Sequence, residues 1–333
     1  MKKLINKNER IFIAGGYGMV GSAIYKKLRE SGYGNYNFGG SIFRPTKQEL
    51  NLKNFNALEK WFKEKQPTIV IIAAAKVGGI FANSNYPAEF ILDNLKIQTN
   101  LIELSKENNV KRLLFLGSSC IYPKFSKQPI KEEYLLSDPL ESTNQFYAIA
   151  KIAGIKLCEA MNLQYNFDAI CLMPTNLYGP NDNYHKFNSH VIPSLIRKFH
   201  EASIKNSEKV ICWGTGNPLR EFLYVDDLAE ACIFALENWK PTFEVSQNQL
   251  RNNSPCWINI GSKFEVSIKQ LANVISNEFN YKGRIEWDLS KPDGTPRKKL
   301  DISKINKLGW TAKTNLKNGI KKTISSFREE LKS

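Results

Sequence analysis

Residues 10–32 read RIFIAGGYGMVGSAIYKKLRESG, and the glycines at their centre decide the fold. RIFIAGG (Arg10 to Gly16) is a short apolar run that ends in a turn. MVGSAIYKKLRESG (Met19 to Gly32) has a helical pattern that stops on a glycine, the residue best suited to close a helix. Between them, the loop satisfies GxGxxG through Gly16, Gly18 and Gly21, and GxxGxxG through Gly15, Gly18 and Gly21. Glycines let the backbone turn tightly and approach a pyrophosphate, which then sits at the helix amino terminus. A glycine turn alone is weak evidence; the strand before it and the helix after it make dinucleotide binding the stronger reading.

Outward from this unit, TIVIIAAA (Thr68 to Ala75), RLLFLGS (Arg112 to Ser118) and FDAICLMP (Phe167 to Pro174) are near-continuous apolar runs. Strands buried on both faces require such runs. Helical segments separate them, including AEFILDNLKIQTNLIELSKEN (Ala88 to Asn108). The alternation predicts an α/β protein with a Rossmann-type, doubly wound parallel sheet. The pattern loosens after Pro180: WGTGNPLREF (Trp213 to Phe222) is turn-rich, and KPTFEVSQNQLRNNSP (Lys240 to Pro255) reads as an exposed connection. We therefore expect a dinucleotide-binding domain of residues 1–180 plus about 223–258. A smaller C-terminal α/β substrate domain would hold about 181–222 plus 259–333.

With 333 residues, 42% hydrophobic and 24% charged, the chain has the composition of an ordinary globular protein. Its net charge of +15 suits an anionic partner. No arginine-rich arm, zinc-finger spacing or helix-turn-helix pattern accompanies that charge, which speaks against nucleic acid. The six cysteines (Cys120, Cys158, Cys171, Cys212, Cys232 and Cys256) show no CxxC and no metal-ligand spacing. They are expected to be reduced thiols in a cytoplasmic protein without a bound metal. The amino terminus lacks the apolar core of a signal peptide, and no stretch reaches membrane-spanning length.

The nature of the dinucleotide turns on the second strand. An NAD site places an acid about 20 residues beyond the glycines. SIFRPTKQEL instead presents Arg44 and Lys47, with no acid before Glu49. Two cations suit a 2′-phosphate, so the expected cofactor is NADPH.

The reaction centre is read from Tyr147-Ala148-Ile149-Ala150-Lys151. On a helix, residues four apart share a face, so phenol and ammonium can meet at one site. A nearby cation lowers a phenol's pKa and makes it a better proton donor to an alkoxide. YxxxK alone occurs by chance on many helices. It gains weight from the glycine loop and from GSSCIYP (Gly117 to Pro123), where Ser118 and Cys120 follow a buried strand, the end of an open sheet at which ligands bind.

Together the glycine loop, Ser118, Tyr147 and Lys151 resemble the extended short-chain dehydrogenase/reductase family. The strings AAAKVGGI, LGSSCIYPK, YAIAKIAGIKLCE, MPTNLYGP, NSHVIP, REFLYVDD and SKPDGTPRK carry the resemblance over nearly the whole chain. They are similar to the branch that acts on GDP-linked 4-keto-6-deoxy sugars, and the resemblance implies a homodimer. It also implies that Cys120 and His190 form the acid-base pair of a 3,5-epimerisation. Ser118 would hold the C4 oxygen, Tyr147 would supply the proton when C4 is reduced, and Lys151 would bind the ribose and tune Tyr147. A ketone at C4 acidifies C3 and C5 alike, so one acid and one base could invert both centres. Ser119-Cys120 also stand where a 4,6-dehydratase carries Asp-Glu.

The implied cofactor contacts are Gly15, Gly18, Met19, Val20, Arg44, Lys47, Ala74 and Asn176. The implied substrate contacts are Arg220 and Lys291 at the diphosphate and Trp213 at the guanosine. Three departures surround this pattern: Gly16-Tyr17 replaces a basic pair, Phe146 a proline, and Lys186-Phe187 a Pro-Ser pair. The first removes a possible 2′-phosphate contact, for which Lys47 could compensate; Phe146 and Lys186-Phe187 raise a second expectation, a C4 reductase without epimerase activity acting on a GDP-6-deoxy-4-keto-heptose for capsule or lipopolysaccharide. A non-catalytic dinucleotide-binding protein is a remote third, because it would not be expected to keep both Tyr147 and Lys151.

Overall fold

A computed structural model describes residues 3–186, 188–241, 244–246, 249–251 and 255–332. The first half alternates as its hydrophobic pattern requires. Strand β1 (Arg10–Ala14) leads to helix α1 (Met19–Glu30), β2 (Ser41–Phe43), α2 (Phe55–Lys65) and β3 (Ile69–Ile72). Then follow α3 (Ile80–Asn85), α4 (Pro87–Glu107), β4 (Arg112–Leu116), α5 (Gln145–Tyr165) and β5 (Ala169–Pro174). Helix α1 closes as its glycine suggested. Gly32 takes φ +82°, and the Gly32 and Tyr33 N–H groups donate back to Arg29 O and Leu28 O, both at 3.0 Å.

After β6 (Asn176–Tyr178) come α6 (Val191–Ile204), β7 (Lys209–Trp213), β8 (Leu219–Tyr224) and α7 (Val225–Asn238). The chain continues through β9 (Glu244–Ser246), β10 (Gln249–Arg251), β11 (Trp257–Ile260), β12 (Glu265–Ser267) and α8 (Ile268–Glu278). It ends with β13 (Arg284–Asp288), β14 (Arg297–Lys298), α9 (Ser303–Leu308) and α10 (Leu316–Glu330). The turn-rich reading of 213–222 holds for its centre, where Gly214 and Gly216 take φ of +75° and +76°. Strand β7 ends before them and β8 begins after them, a strand whose Phe222 to Tyr224 are buried by tertiary contacts that local composition does not reveal. Of the expected connection 240–255, β9 and β10 pair antiparallel. Residues 242–243, 247–248 and 252–254 lie outside the described residues, as does Phe187.

The main sheet has the order β2-β1-β3-β4-β5-β11, and every pair in it is parallel. Ile69 to Ile72 are fully buried, which explains why this strand reads as an unbroken apolar run. Chain order reverses between β1 and β3, so the crevice above their carboxyl ends is the natural ligand site of the sheet. A second layer centres on β8, which pairs with β6 and β14 in parallel and β12 antiparallel. Its own core gathers Leu195, Phe199, Leu271, Ile275, Ile320 and Phe327. Leu300, Ile302, Ile305 and Trp310 pack into the first core, although the expected split at residue 259 would have placed them with the second.

One buried carboxylate ties these parts together. Glu221, in β8, has no exposed surface and accepts the N–H groups of Ser262 (2.8 Å), Lys263 (2.8 Å) and Leu300 (3.0 Å). Gly261 leaves the space; a Cβ there would collide with the carboxylate. Burial raises the pKa of Glu221, and the three backbone donors oppose that rise. Leaving buried N–H groups unmade costs about 1–3 kcal/mol each. Glu221→Ala is therefore expected to lower the thermal midpoint by several degrees, at roughly 2–4 °C per kcal/mol for a chain of this size class. Calorimetry showing an unchanged midpoint would refute the tie.

Candidate active site

A cavity of about 510 Å³ opens where the parallel strands end. At one end its wall is the glycine loop: Gly15, Gly18, Met19 and Val20. Gly15 takes φ +83°, and a Cβ on Gly21 would run into the Gly15 carbonyl, so both glycines are demanded by the close approach of loop and helix. Gly18 precedes α1 without a side-chain cap. The first-turn N–H groups therefore face the cavity end, where a pyrophosphate would satisfy them. Ala74 backs this loop rather than lining the cavity, since its N–H lies where a Cβ on Gly15 would project. Gly16 lies against Arg44. The Arg44 guanidinium is stacked between Tyr17 (4.6 Å to the ring centroid) and Tyr25 (3.8 Å). Lys47 is exposed beyond this stack.

The middle of the cavity holds Ser118, Cys120, Tyr147 and His190, with Asn176 beside them. The Ser118 hydroxyl accepts the Cys120 N–H at 3.2 Å, which closes the short turn Ser119–Ile121 and brings the thiol back over the strand end. Tyr147 reaches Ser118 from α5. Burial raises the phenol pKa, negative charge at Cys120 raises it further, and the hydrogen bond from Ser118 only partly offsets them. Lys151 stands near Tyr147 but makes its hydrogen bond elsewhere. Its Nζ sits 6.0 Å from the Tyr147 ring centroid and donates to the Leu116 carbonyl at 2.8 Å. Lys151 is buried below the cavity wall, and burial lowers its pKa to about 8.

Cys120 is only partly buried, whereas the other five cysteines are fully buried. Burial pushes its thiol up, but the Lys298 ammonium, a hydrogen bond with Ser118 and the charge of Arg220 outweigh it, and the pKa is lowered. His190 occupies the N-cap of α6 with its side chain free of capping and open to the cavity. Burial lowers its pKa first, and Lys298 lowers it further.

At the far end Arg220 lines the cavity. Trp213 and Lys291 meet each other, 5.7 Å from ammonium to ring centroid, but neither forms part of this wall. Among the wall residues that escaped the sequence reading are Asn83, Glu141, Asn144 and Lys298. The buried Oδ1 atoms of Asn144 and Asn83, both in the wall, have no hydrogen-bond partner, so each can accept from a hydroxyl-rich ligand. Lys298 closes the SKPDGTPRK string, but its approach to Cys120 depends on the β14–β8 pairing, which nothing local encodes. Among the described residues no group of three His, Cys, Asp or Glu side chains could hold a metal.

A Rossmann sheet, a glycine loop at its switch point and a Ser-Tyr-Lys set beside it define a nicotinamide-dependent enzyme of the short-chain type. The chain belongs to the NAD dependent epimerase/dehydratase family, whose model matches residues 11–245. It is 51% identical to the putative GDP-L-fucose synthase 2 of Arabidopsis thaliana, covering 98% of this chain and 94% of that protein. It is 48% identical to the GDP-L-fucose synthase of Escherichia coli (strain K12), covering 96% and 97%. Among solved structures, the GDP-mannoheptose C4 reductase of Campylobacter jejuni with NADP bound superposes with a TM-score of 0.84 at 37% identity, covering 97% and 99%.

The contrast among thiols is directly measurable. Native protein treated with iodoacetamide at pH 7 should take up one equivalent rapidly, located at Cys120 by peptide mass spectrometry. Rapid labelling at Cys158, Cys171 or Cys256 would contradict the burial described.

Proposed function

We propose that the protein catalyses NADPH-dependent reduction at C4 of a GDP-4-keto-6-deoxy sugar, preceded by epimerisation at C3 and C5. The observation that carries this reading is the convergence of Cys120 and His190 on the cavity that holds Ser118 and Tyr147. A reductase alone needs only the second pair. Relatives named GDP-L-fucose synthase at 48% and 51% identity support the full activity, and the heptose reductase at 37% gives the narrower alternative less support.

Ser118 and Tyr147 hold the C4 oxygen with their hydroxyls. That polarisation acidifies C3 and C5, where Cys120 removes and His190 returns protons from opposite faces of the ring. The raised pKa of Tyr147 keeps its proton in place until an alkoxide forms at C4, and the phenol then donates it. Gly15, Gly18, Met19 and Val20 would cradle NADPH, with Arg44 and Asn176 beside it, Ala74 behind the loop and Lys47 at the surface, and the cofactor would supply the hydride. NADP in the similar heptose reductase supports this choice. Lys151 braces the strand end and meets the nicotinamide ribose. Arg220 takes the diphosphate, with Lys291 beside it and Trp213 toward the guanosine, both outside the cavity wall.

The same reading gives the first core to the cofactor and the second to the sugar nucleotide. It includes a homodimer through the exposed Leu92, Phe146 and Ile149 of α4 and α5, and a cytoplasmic location. No described helix is long and apolar enough to cross a membrane.

Proton NMR of GDP-4-keto-6-deoxymannose with the protein in D2O tests the reading. Loss of the C3 and C5 signals without cofactor, and formation of GDP-L-fucose once NADPH is added, are expected. NADPH consumption without exchange would reduce the protein to a C4 reductase. Tyr147→Phe should slow reduction by roughly 100-fold or more while exchange continues, in line with the worth of a general acid. Unchanged NADPH turnover in that variant would remove Tyr147 from the chemistry.

A further inference from the structure

The short edge strand β14 of the second sheet delivers a cation to the cavity thiol. Strand β14 runs parallel to β8 with Arg297 opposite Leu219 and Lys298 opposite Arg220. Successive side chains on a strand point to opposite faces. Arg297 accordingly turns away and pairs with Glu265, its Nε 2.9 Å from the carboxylate. Lys298 turns into the cavity, where its Nζ lies 3.5 Å from Cys120 Sγ. Among the described residues, no carboxylate stands within ion-pair distance of Lys298. Leu300, two residues on, is anchored by the buried Glu221, so the strand bearing the ammonium is held rather than loose.

We propose that Lys298 is a positioning residue that raises the thiolate fraction of Cys120 and thereby makes it the base of the epimerising pair. Around the sulfur stand Lys298 from β14, Arg220 from β8, and Tyr147 and Ser118, with Glu141 in the same wall and His190 also within reach of the Lys298 charge. The two cations oppose burial. Glu141 pairs with Lys124, 3.0 Å away, and together with Asp293 also faces Arg220, which leaves Lys298 as the larger positive influence on the sulfur. The same ammonium disfavours imidazolium at His190, so Cys120 takes the carbon-bound proton onto sulfur, and His190 first takes up a proton from solvent and then delivers it to the opposite face of the enolate. Its meaning for turnover rests on the proposed epimerase function; the thiolate itself does not.

The test separates the two. The rate of Cys120 alkylation by iodoacetamide is followed from pH 5.5 to 9.5 in native protein without substrate, for wild type, Lys298→Met and Lys298→Arg. The wild-type midpoint should fall below the ~8.5 of a free thiol. In Lys298→Met it should rise by about a unit, slowing labelling at pH 7 about tenfold, and Lys298→Arg should restore most of the shift. A wild-type midpoint at or above that of a free thiol overturns the proposal without recourse to any variant, and so does a midpoint that Lys298→Met leaves in place. In D2O, exchange at C3 and C5 should fall with the thiolate fraction. If wild type shows the low midpoint but no exchange, the epimerase reading fails and the thiolate assignment stands.

Discussion

The arrangement of the site depends on a single carboxylate with no access to water. Glu221 gathers the backbone N–H groups of Ser262, Lys263 and Leu300, and its own carbonyl accepts from the side chains of Thr175 and Asn176. A charge taken out of water is costly unless hydrogen bonds replace its hydration. Here the replacements come from segments that follow β11 and β14, while Thr175 and Asn176, after β5, hold the backbone carbonyl of the same residue. Satisfying one buried acid therefore fixes where the second sheet sits against the first. Arg220 precedes Glu221 on β8 and Lys298 lies two residues before Leu300, so both cations inherit their positions from this constraint.

The cavity built on that frame sorts its titratable groups. Tyr147 and Cys120 share burial, which alone would keep both protonated. Lys298 and Arg220 reach the sulfur but are not what moves the phenol, so the thiol comes down while the phenol stays up. Groups whose environments push their pKa values apart can act as base and acid in one pocket. Lys151 contributes by bracing: its ammonium caps the carbonyl of Leu116, the last residue of β4, immediately before the loop that carries Ser118 and Cys120.

Much of the fold was legible because its signals are local. Strands buried on both faces must be apolar throughout, and TIVIIAAA and RLLFLGS declare themselves so. A left-handed residue after α1 selects glycine, and Gly32 was read correctly. Cys120, His190, Ser118 and Tyr147 were placed by motif and do line one cavity. The turn-rich stretch before Phe222 hid two strands, because Gly214 and Gly216 are real turns, with φ of +75° and +76°, set between them. Lys291 was preferred over Lys298 although both lie in one string; only the register of β14 on β8 separates a surface cation from one that touches sulfur.

The amino-acid sequence by itself determined the strand-helix alternation, the glycine loop and the residue types of the reaction centre. Each is governed by backbone sterics or by periodicity within a few residues. Tertiary structure alone decided which cation meets Cys120, that the Lys151 ammonium donates to the carbonyl at the end of β4, and that burial raises the pKa of Tyr147. Those outcomes are electrostatic: they depend on distances and desolvation set by strands brought together from positions far apart in the chain.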